Sequence, residues 1–264
     1  MDIVPHTKKA LGQHWLNDED SLEAMLTGAS IGPNDTVLEV GPGPGALTER
    51  LVKRAKQVLA VEFDQDLAHD LPHRVPADNL QVVQQDILQF DLSQLPPGYK
   101  VAANIPYYLT SQLLRVLCES PCHFSQAALL IQKEVAERVC AEPGSMSLLS
   151  VSVQYYCETH LGPVVPAELF TPPPKVDSQI LELTYRTTPL FENVDTKLFF
   201  RVVKAGFSQR RKTLLNSLSG GLHISRAQTE ALLQAAGISS GLRPQALTLQ
   251  QWHTIYAIYK QTKT

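Results

Sequence analysis

Asn104-Ile105-Pro106-Tyr107 is the stretch whose residue types point most directly to chemistry. The Asn104 side-chain oxygen and the Ile105 carbonyl are two hydrogen-bond acceptors one residue apart, and Pro106 fixes the turn that presents them. Two acceptors suit the two protons of an exocyclic amine such as N6 of adenine. That nitrogen is a poor nucleophile because its lone pair is delocalised into the ring. Acceptors on both protons draw electron density back and favour a tetrahedral nitrogen. Tyr107 adds an aromatic face for a base taken out of its stack. A methyl group already activated on a sulfonium would then need alignment with the nitrogen more than a general base. Taken by itself, the string also serves as an ordinary strand-to-turn connection.

A second constellation precedes it. Gly41-Pro42-Gly43-Pro44-Gly45-Ala46 follows an apolar run, and Glu62 comes 21 residues after Gly41. The spacing matches a dinucleotide fingerprint with an acidic residue on a ribose hydroxyl, and alone it is compatible with NAD. Pro42 and Pro44, however, lack the N–H donors with which such a loop cradles a pyrophosphate. S-adenosyl-L-methionine carries no phosphate and needs only close backbone approach. Glu39, just before the loop, would attract the cationic end of that ligand. Asp86, which ends a third strand, can accept from an adenine amine, so Glu62 and Asp86 would hold the ribose and base of one nucleoside. Each carboxylate alone reads as a solvated strand end; their occurrence after successive strands favours a ligand.

The elements that must position these groups alternate. Strands are predicted at 36–40, 58–63, within 80–88, at 100–103 and at 127–131, with helices over 47–56 and 110–118. Strand–helix alternation with β-branched strands predicts an α/β fold, a doubly wound and mostly parallel sheet, with the carboxylates and Asn104 at its ligand crevice. A further, less buried strand is expected over 177–186. Amphipathic helices follow at 197–206, 209–218, 226–236 and 249–260, separated by Gly or Pro. Thr187-Thr188-Pro189 is the expected joint between a cofactor-binding domain, 1–186, and a small all-α domain, 187–264.

Composition limits the rest. With 44% hydrophobic and 19% charged residues the 264-residue chain is globular, and no apolar run approaches a membrane span. Met1–Ala10 carries two lysines without an apolar stretch behind them, so no signal peptide is expected, and the protein is expected to be cytoplasmic. Cys118, Cys122, Cys140 and Cys157 lack a second close pair, so Cys118-x-x-x-Cys122 with His123 reads as core thiols rather than a metal site. The net charge of −3 hides an asymmetry: residues 187–264 hold ten Lys/Arg against three Asp/Glu, a balance of +7, on a body of −10. A basic domain on an acidic one suggests a polyanionic partner, although basic helices also serve solubility alone.

With these residues in place the sequence resembles the KsgA family of ribosomal RNA adenine dimethyltransferases over nearly its whole length. The resemblance rests on Leu11-Gly12-Gln13-His14-Trp15-Leu16, the glycine loop, Asn104 to Tyr107, Gln132-Lys133-Glu134-Val135, Phe170 to Ser178 (Phe-Thr-Pro-Pro-Pro-Lys-Val-Asp-Ser) and Phe207-Ser208-Gln209-Arg210-Arg211-Lys212-Thr213. It implies a Rossmann-like class I methyltransferase sheet and methyl transfer from S-adenosylmethionine, without a metal. The substrate it implies is two adjacent adenosines near the 3′ end of small-subunit (16S) RNA, each methylated twice, with a possible role in subunit biogenesis. By position, His14 and Leu16 would cover the cofactor, Gly41 would approach its methionine end, Glu62 the ribose and Asp86 the adenine. Asn104 would contact cofactor and target, and Phe170 would supply a second π surface opposite Tyr107. His14 and Trp15 depart from the common Gly-Gln-Asn-Phe-Leu form, and Tyr108 stands where Asn is frequent.

Arg210, Arg211 and Lys212 are expected to begin a helix. Cations there oppose the helix dipole, a cost that is tolerable when they meet phosphates, with Lys204 and Arg201 continuing the track. The expected partner is the small ribosomal subunit, and a monomer is expected. The rival readings are an Erm-type methyltransferase of large-subunit RNA, a non-catalytic assembly or nucleic-acid-binding factor, and, last, a nicotinamide dehydrogenase.

Overall fold

The structure, a computed structural model, describes residues 13–209 and 211–262. The elements up to the middle of the chain are β1 (Trp15–Leu16), α1 (Glu19–Gly28), β2 (Thr36–Val40), α2 (Thr48–Arg54), β3 (Gln57–Glu62), α3 (Gln65–Arg74), β4 (Leu80–Gln84), β5 (Lys100–Asn104), α4 (Thr110–Glu119) and β6 (Gln126–Gln132). They continue with α5 (Lys133–Val139), α6 (Leu148–Gln154), β7 (Cys157–Val165), β8 (Phe170–Thr171), β9 (Ser178–Tyr185), α7 (Thr196–Phe207), α8 (Leu214–Leu222), α9 (Arg226–Ala235) and α10 (Leu249–Gln261).

The chain forms two compact units: residues up to Glu137 with Cys157–Arg186, and Arg138–Tyr156 with the residues from Thr187 onward. The first unit is built on a seven-stranded sheet of order β4-β3-β2-β5-β6-β9-β7. The first five are parallel, while β9 runs antiparallel to both β6 and β7. β2 and β6 are buried on both faces, which is why they read as unbroken apolar runs. From β2 the chain winds outward to β3 and β4, then returns to β5 on the other side. That reversal makes the C-terminal ends of β2 and β5 a topological switch point, where an open α/β sheet holds ligands.

Two sheet elements differ from expectation. β9 is an interior strand, with Ile180, Leu181 and Leu183 all buried, rather than a less buried one. The reason is β7, which the sequence did not disclose: Glu158, His160, Gly162 and Pro163 interrupt its apolar pattern. It pairs with β9 through a register shift between Leu161 and Val164, and at a sheet edge Pro163 needs no ladder partner.

In the second unit α7 places Phe199, Val202 and Val203 in a core shared with Leu214, Leu218, Trp252, Ile255 and Tyr259. Spacings of three and four on each helix bring these side chains to one face. Met146, Val151 and Tyr155 join the same cluster, so Arg138–Tyr156 packs with the helices, although a single joint at Thr187 would leave it with the sheet. The expected helix over 209–218 begins later. Lys212 N–H donates to the Gln209 carbonyl (2.9 Å) in a turn, Thr213 is extended, and α8 starts only at Leu214, where the apolar positions begin. Arg211 and Lys212 are therefore exposed in the turn before the helix, not on its first turn. Arg210 lies outside the described residues, as do Leu11 and Gly12.

Candidate active site

At the switch point lies a cavity of about 270 Å³ lined by the ends of β2, β3 and β5, the turn after β4, and the segment around β1. Every candidate residue of the first unit lines it: His14, Leu16, Gly41, Glu62, Asp86, Asn104, Tyr107 and Phe170.

The glycine loop closes one side. Gly41 has φ +65°, a left-handed conformation that costs little only without a side chain, and a Cβ there would project into open space. Gly43 also has positive φ, and a Cβ on it would lie 2.6 Å from the Trp15 ring, which packs under the loop. The loop's remaining amides are already used. Gly41 N–H donates to the Val61 carbonyl (2.9 Å), Gly43 N–H to Glu62 Oε2 (3.1 Å) and Gly45 N–H to the Pro42 carbonyl (3.1 Å). Pro42 and Pro44 have none to give. Nothing in Gly41–Gly45 is left to bind a pyrophosphate, so the loop does not fit a dinucleotide.

The carboxylates differ in kind. Glu62 is nearly buried and rigidly held, with Oε1 accepting from Asp64 N (2.9 Å) and Oε2 from Gly43 N. Burial raises its pKa, while those hydrogen bonds pull the other way. Asp86 follows β4 by two residues and caps the 3-10 turn Ile87–Gln89 through Oδ1 to Leu88 N (3.0 Å), which leaves Oδ2 for a ligand. Glu39 is 1% exposed and neither oxygen has a hydrogen-bond partner among the described residues. Burial pushes its pKa up to about 8; the Thr48 hydroxyl beside it lowers it only partly, without forming a hydrogen bond of normal geometry, and Glu62 raises it further. An unpartnered buried carboxylate beside an open glycine fits a cationic ligand group, which would supply its missing counter-charge.

On the β5 side, Asn104 Nδ2 donates to the His14 backbone carbonyl (3.2 Å). Ile105 N–H is tied to the Leu130 carbonyl (3.2 Å), and its own carbonyl accepts nothing among the described residues. Tyr107 is fixed by a hydroxyl contact to Ser178 Oγ (3.0 Å), and burial holds its phenol above the usual range. The ring lying against it is His14, with centroids 6.1 Å apart and planes inclined by 26°. His14 Nδ1–H is in turn anchored on the Pro172 carbonyl (2.7 Å). Phe170 is 3% exposed and packs in the core with Leu22, paired through β8 to Leu16 on β1, so it contributes a wall of the cavity. Sequence reasoning missed Phe63, expected as a strand end but 57% exposed at the rim; Tyr108, noted there only as a departure from Asn, is 63% exposed on the same turn as Tyr107. Position next to Glu62 and Tyr107 was the available signal.

Cys118 and Cys157 are buried core thiols, while Cys122 and Cys140 are partly exposed. Cys118 Sγ lies 3.9 Å from Cys157 Sγ in the core, and the Cys122 thiol donates to the Leu95 carbonyl (3.3 Å). Among the described residues no helix is long and apolar enough to cross a membrane.

The sequence pattern described as ribosomal RNA adenine dimethylase matches residues 5–261. A curated relative from Dehalococcoides mccartyi, ribosomal RNA small subunit methyltransferase A, is 41% identical over 96% of this chain and 89% of its own length. The protein of the same name from Streptococcus equi subsp. zooepidemicus is 41% identical over 96% and 92%. Among solved structures, a dimethyladenosine transferase from Plasmodium falciparum superposes with a TM-score of 0.81 at 25% identity, covering 95% of this chain and 98% of that one. The 23S rRNA methyltransferase ErmE superposes with a TM-score of 0.76 at 30% identity, covering 94% and 100%.

Proposed function

Because the chain belongs to the ribosomal RNA adenine dimethylase family, we propose that it methylates, twice each, the N6 amines of two adjacent adenosines near the 3′ end of small-subunit ribosomal RNA. The observation that carries this reading is the pair of free acceptors, Asn104 Oδ1 and the Ile105 carbonyl, at the cavity of the switch point. They receive the two amine protons while the Tyr107 ring supports one face of the flipped base and Phe170 walls the pocket. When bound, S-adenosylmethionine supplies an activated methyl group on its sulfonium. For it, Glu62 holds the ribose, Asp86 Oδ2 the adenine amine, Gly41 and Glu39 the methionine end, and His14 and Leu16 the cover. The proton that leaves nitrogen after transfer needs no dedicated side-chain base, because the alkylated amine is acidic enough to lose it to water.

The second unit is read as the RNA-binding domain. Lys197, Arg201 and Lys204 share a face of α7 at spacings of four and three, all exposed, and Arg211 and Lys212 are exposed in the turn beyond it. With Arg210 they supply cations for a phosphate backbone. The protein acts in this reading as a cytoplasmic monomer on the small subunit or its precursor.

The test is transfer of label from S-adenosylmethionine to under-methylated small subunits, followed by digestion. Dimethyladenosine mapped to two neighbouring positions supports the reading. Label confined to large-subunit RNA would assign the chain to the Erm activity instead, and no label with either RNA would leave a binding factor.

A further inference from the structure

Tyr107 and Tyr108 are consecutive, but they face different surroundings. Both lie on the 3-10 turn Tyr107–Leu109, closed by Leu109 N–H to the Pro106 carbonyl (2.9 Å). Three residues per turn send successive side chains about 120° apart. Tyr107 is half-buried and hydrogen-bonded to Ser178, whereas Tyr108 leaves 63% of its surface in water at the mouth of the same cavity. Tyr108 makes no ring contact, hydrogen bond or cation contact with the described residues. It is thus a large aromatic side chain, the most exposed of the large hydrophobic ones among the described residues, that the described fold does not use.

Its neighbours limit what can use it. The cofactor's nucleoside is assigned to Glu62 and Asp86, at the β3–β4 side of the cavity, where Phe63 is the exposed rim aromatic. Tyr108 sits at the β5 side, one residue beyond the ring that supports the target base. A nucleotide joined to the target by one phosphodiester cannot move far from that mouth when the target enters the pocket. Its base has lost a stacking partner to the flip, and an exposed aromatic ring is a surface on which any base, and a purine best, can restack.

We propose that Tyr108 is the platform on which the second adenine of the pair stacks while the first occupies the cavity, which makes it a positioning residue for the dinucleotide. The proposal rests on the RNA reading above. It also explains why a chain modifying two adjacent adenosines can afford an exposed Tyr beside its catalytic turn. Each base in turn would occupy the pocket while the other holds the strand at the rim.

The experiment compares the full-length wild type with Tyr108→Ala and Tyr108→Phe on under-methylated small subunits, alongside subunits in which the neighbouring adenosine is replaced by uridine. Tyr108→Ala should raise KM for subunits about tenfold, in keeping with base–aromatic stacking, with kcat and the Kd for S-adenosylhomocysteine each within about twofold of wild type. Tyr108→Phe, which keeps the ring, should restore KM. Uridine at the neighbouring position should raise KM for wild type but add little to Tyr108→Ala, because both changes remove the same contact. An unchanged KM in Tyr108→Ala, or full additivity of the two changes, would overturn the platform. So would a parallel loss of S-adenosylhomocysteine affinity, which would make Tyr108 a cofactor wall. If wild type itself leaves small subunits unlabelled, the substrate reading fails first and the platform with it.

Discussion

The side-chain amide of Asn104 donates to the backbone carbonyl of His14, 90 positions earlier in the chain, across 3.2 Å. A carbonyl can only accept, so the NH2 group must face His14, and the amide oxygen is left without a partner among the described residues. The contact fixes which end of the amide meets a ligand. It also uses the backbone of residue 14, so the departure from Asn to His at that position leaves it intact.

Asn104→Ala and Asn104→Asp should therefore fail for different reasons. Alanine removes the acceptor and should abolish measurable transfer. Aspartate keeps an oxygen for the amine but sets a carboxylate against the His14 carbonyl, so the side chain must turn away. Loss of one oriented group of this kind lowers kcat by about 100- to 1000-fold. Single-turnover transfer, with S-adenosylhomocysteine affinity measured in parallel, checks both. An Asp variant with wild-type kcat would show that orientation by His14 is not required.

Glu39 makes the free protein sensitive to pH. Its pKa is raised from 4.5 to about 8 by burial, and that of Glu62 is raised as well. A carboxyl whose folded pKa exceeds its unfolded value favours the folded state while protonated. The contribution is complete below about pH 4.5 and is lost as pH rises through about 8. At about 1.4 kcal/mol per unit, the Glu39 contribution amounts to a few kcal/mol. Thermal melts of the free protein should thus fall in Tm from pH 5 to 8, and Glu39→Gln should flatten most of the slope. A cationic ligand reverses the preference: S-adenosylmethionine should bind more tightly as pH rises toward 8 in wild type and show little pH dependence in Glu39→Gln. Calorimetric titration at three pH values decides this, and a flat wild-type affinity would separate Glu39 from the ligand.

Gly41 offers a cleaner test of the cofactor side, because a Cβ there meets no protein atom yet enters the cavity. Gly41→Ala should cost about 1–2 kcal/mol of stability, from the positive φ alone. It should weaken S-adenosylhomocysteine by tenfold or more, a disproportion read from melts and titration together. NAD should bind neither protein detectably, since no amide of Gly41–Gly45 remains to hold its pyrophosphate.

Legibility followed the physics of each element. β2, β3, β5 and β6 were readable because strands buried on both faces are continuous apolar runs, and the site was readable because it lies where those runs stop. β7 was not, since an edge strand needs neither alternation nor freedom from Pro163. α3 was obscured by Pro72 and by its only buried positions being Leu67, Ala68 and Leu71. Arg138–Tyr156 looked like part of the sheet domain because sequence order is a poor guide to which core a short helix joins; Val151 and Tyr155 settle it by packing. Phe170 illustrates a third limit. The family resemblance placed it at the pocket, where it lies as a buried wall, and only geometry reveals that His14 is the ring against Tyr107.

The basic turn before α8 calls for point substitutions rather than truncation. Removing everything after Thr187 would strip Met146, Val151 and Tyr155 of the core they share with α7 and α10, so lost binding would report misfolding. Arg211 and Lys212 are exposed and precede the helix, and replacing them deletes no buried contact and no helical residue. Arg211→Ala with Lys212→Ala should leave Tm within about 1–2 °C, as surface changes do. If both cations neutralise phosphates, the slope of log K against log salt for small-subunit binding should become shallower by about 1.4–1.8, at 0.7–0.9 per phosphate. An unchanged slope with weaker binding would mean that the turn shapes the interface without meeting the backbone. An unchanged slope and unchanged affinity would move the polyanion contact elsewhere, first to the Lys197, Arg201 and Lys204 face of α7, where the same measurement can be repeated.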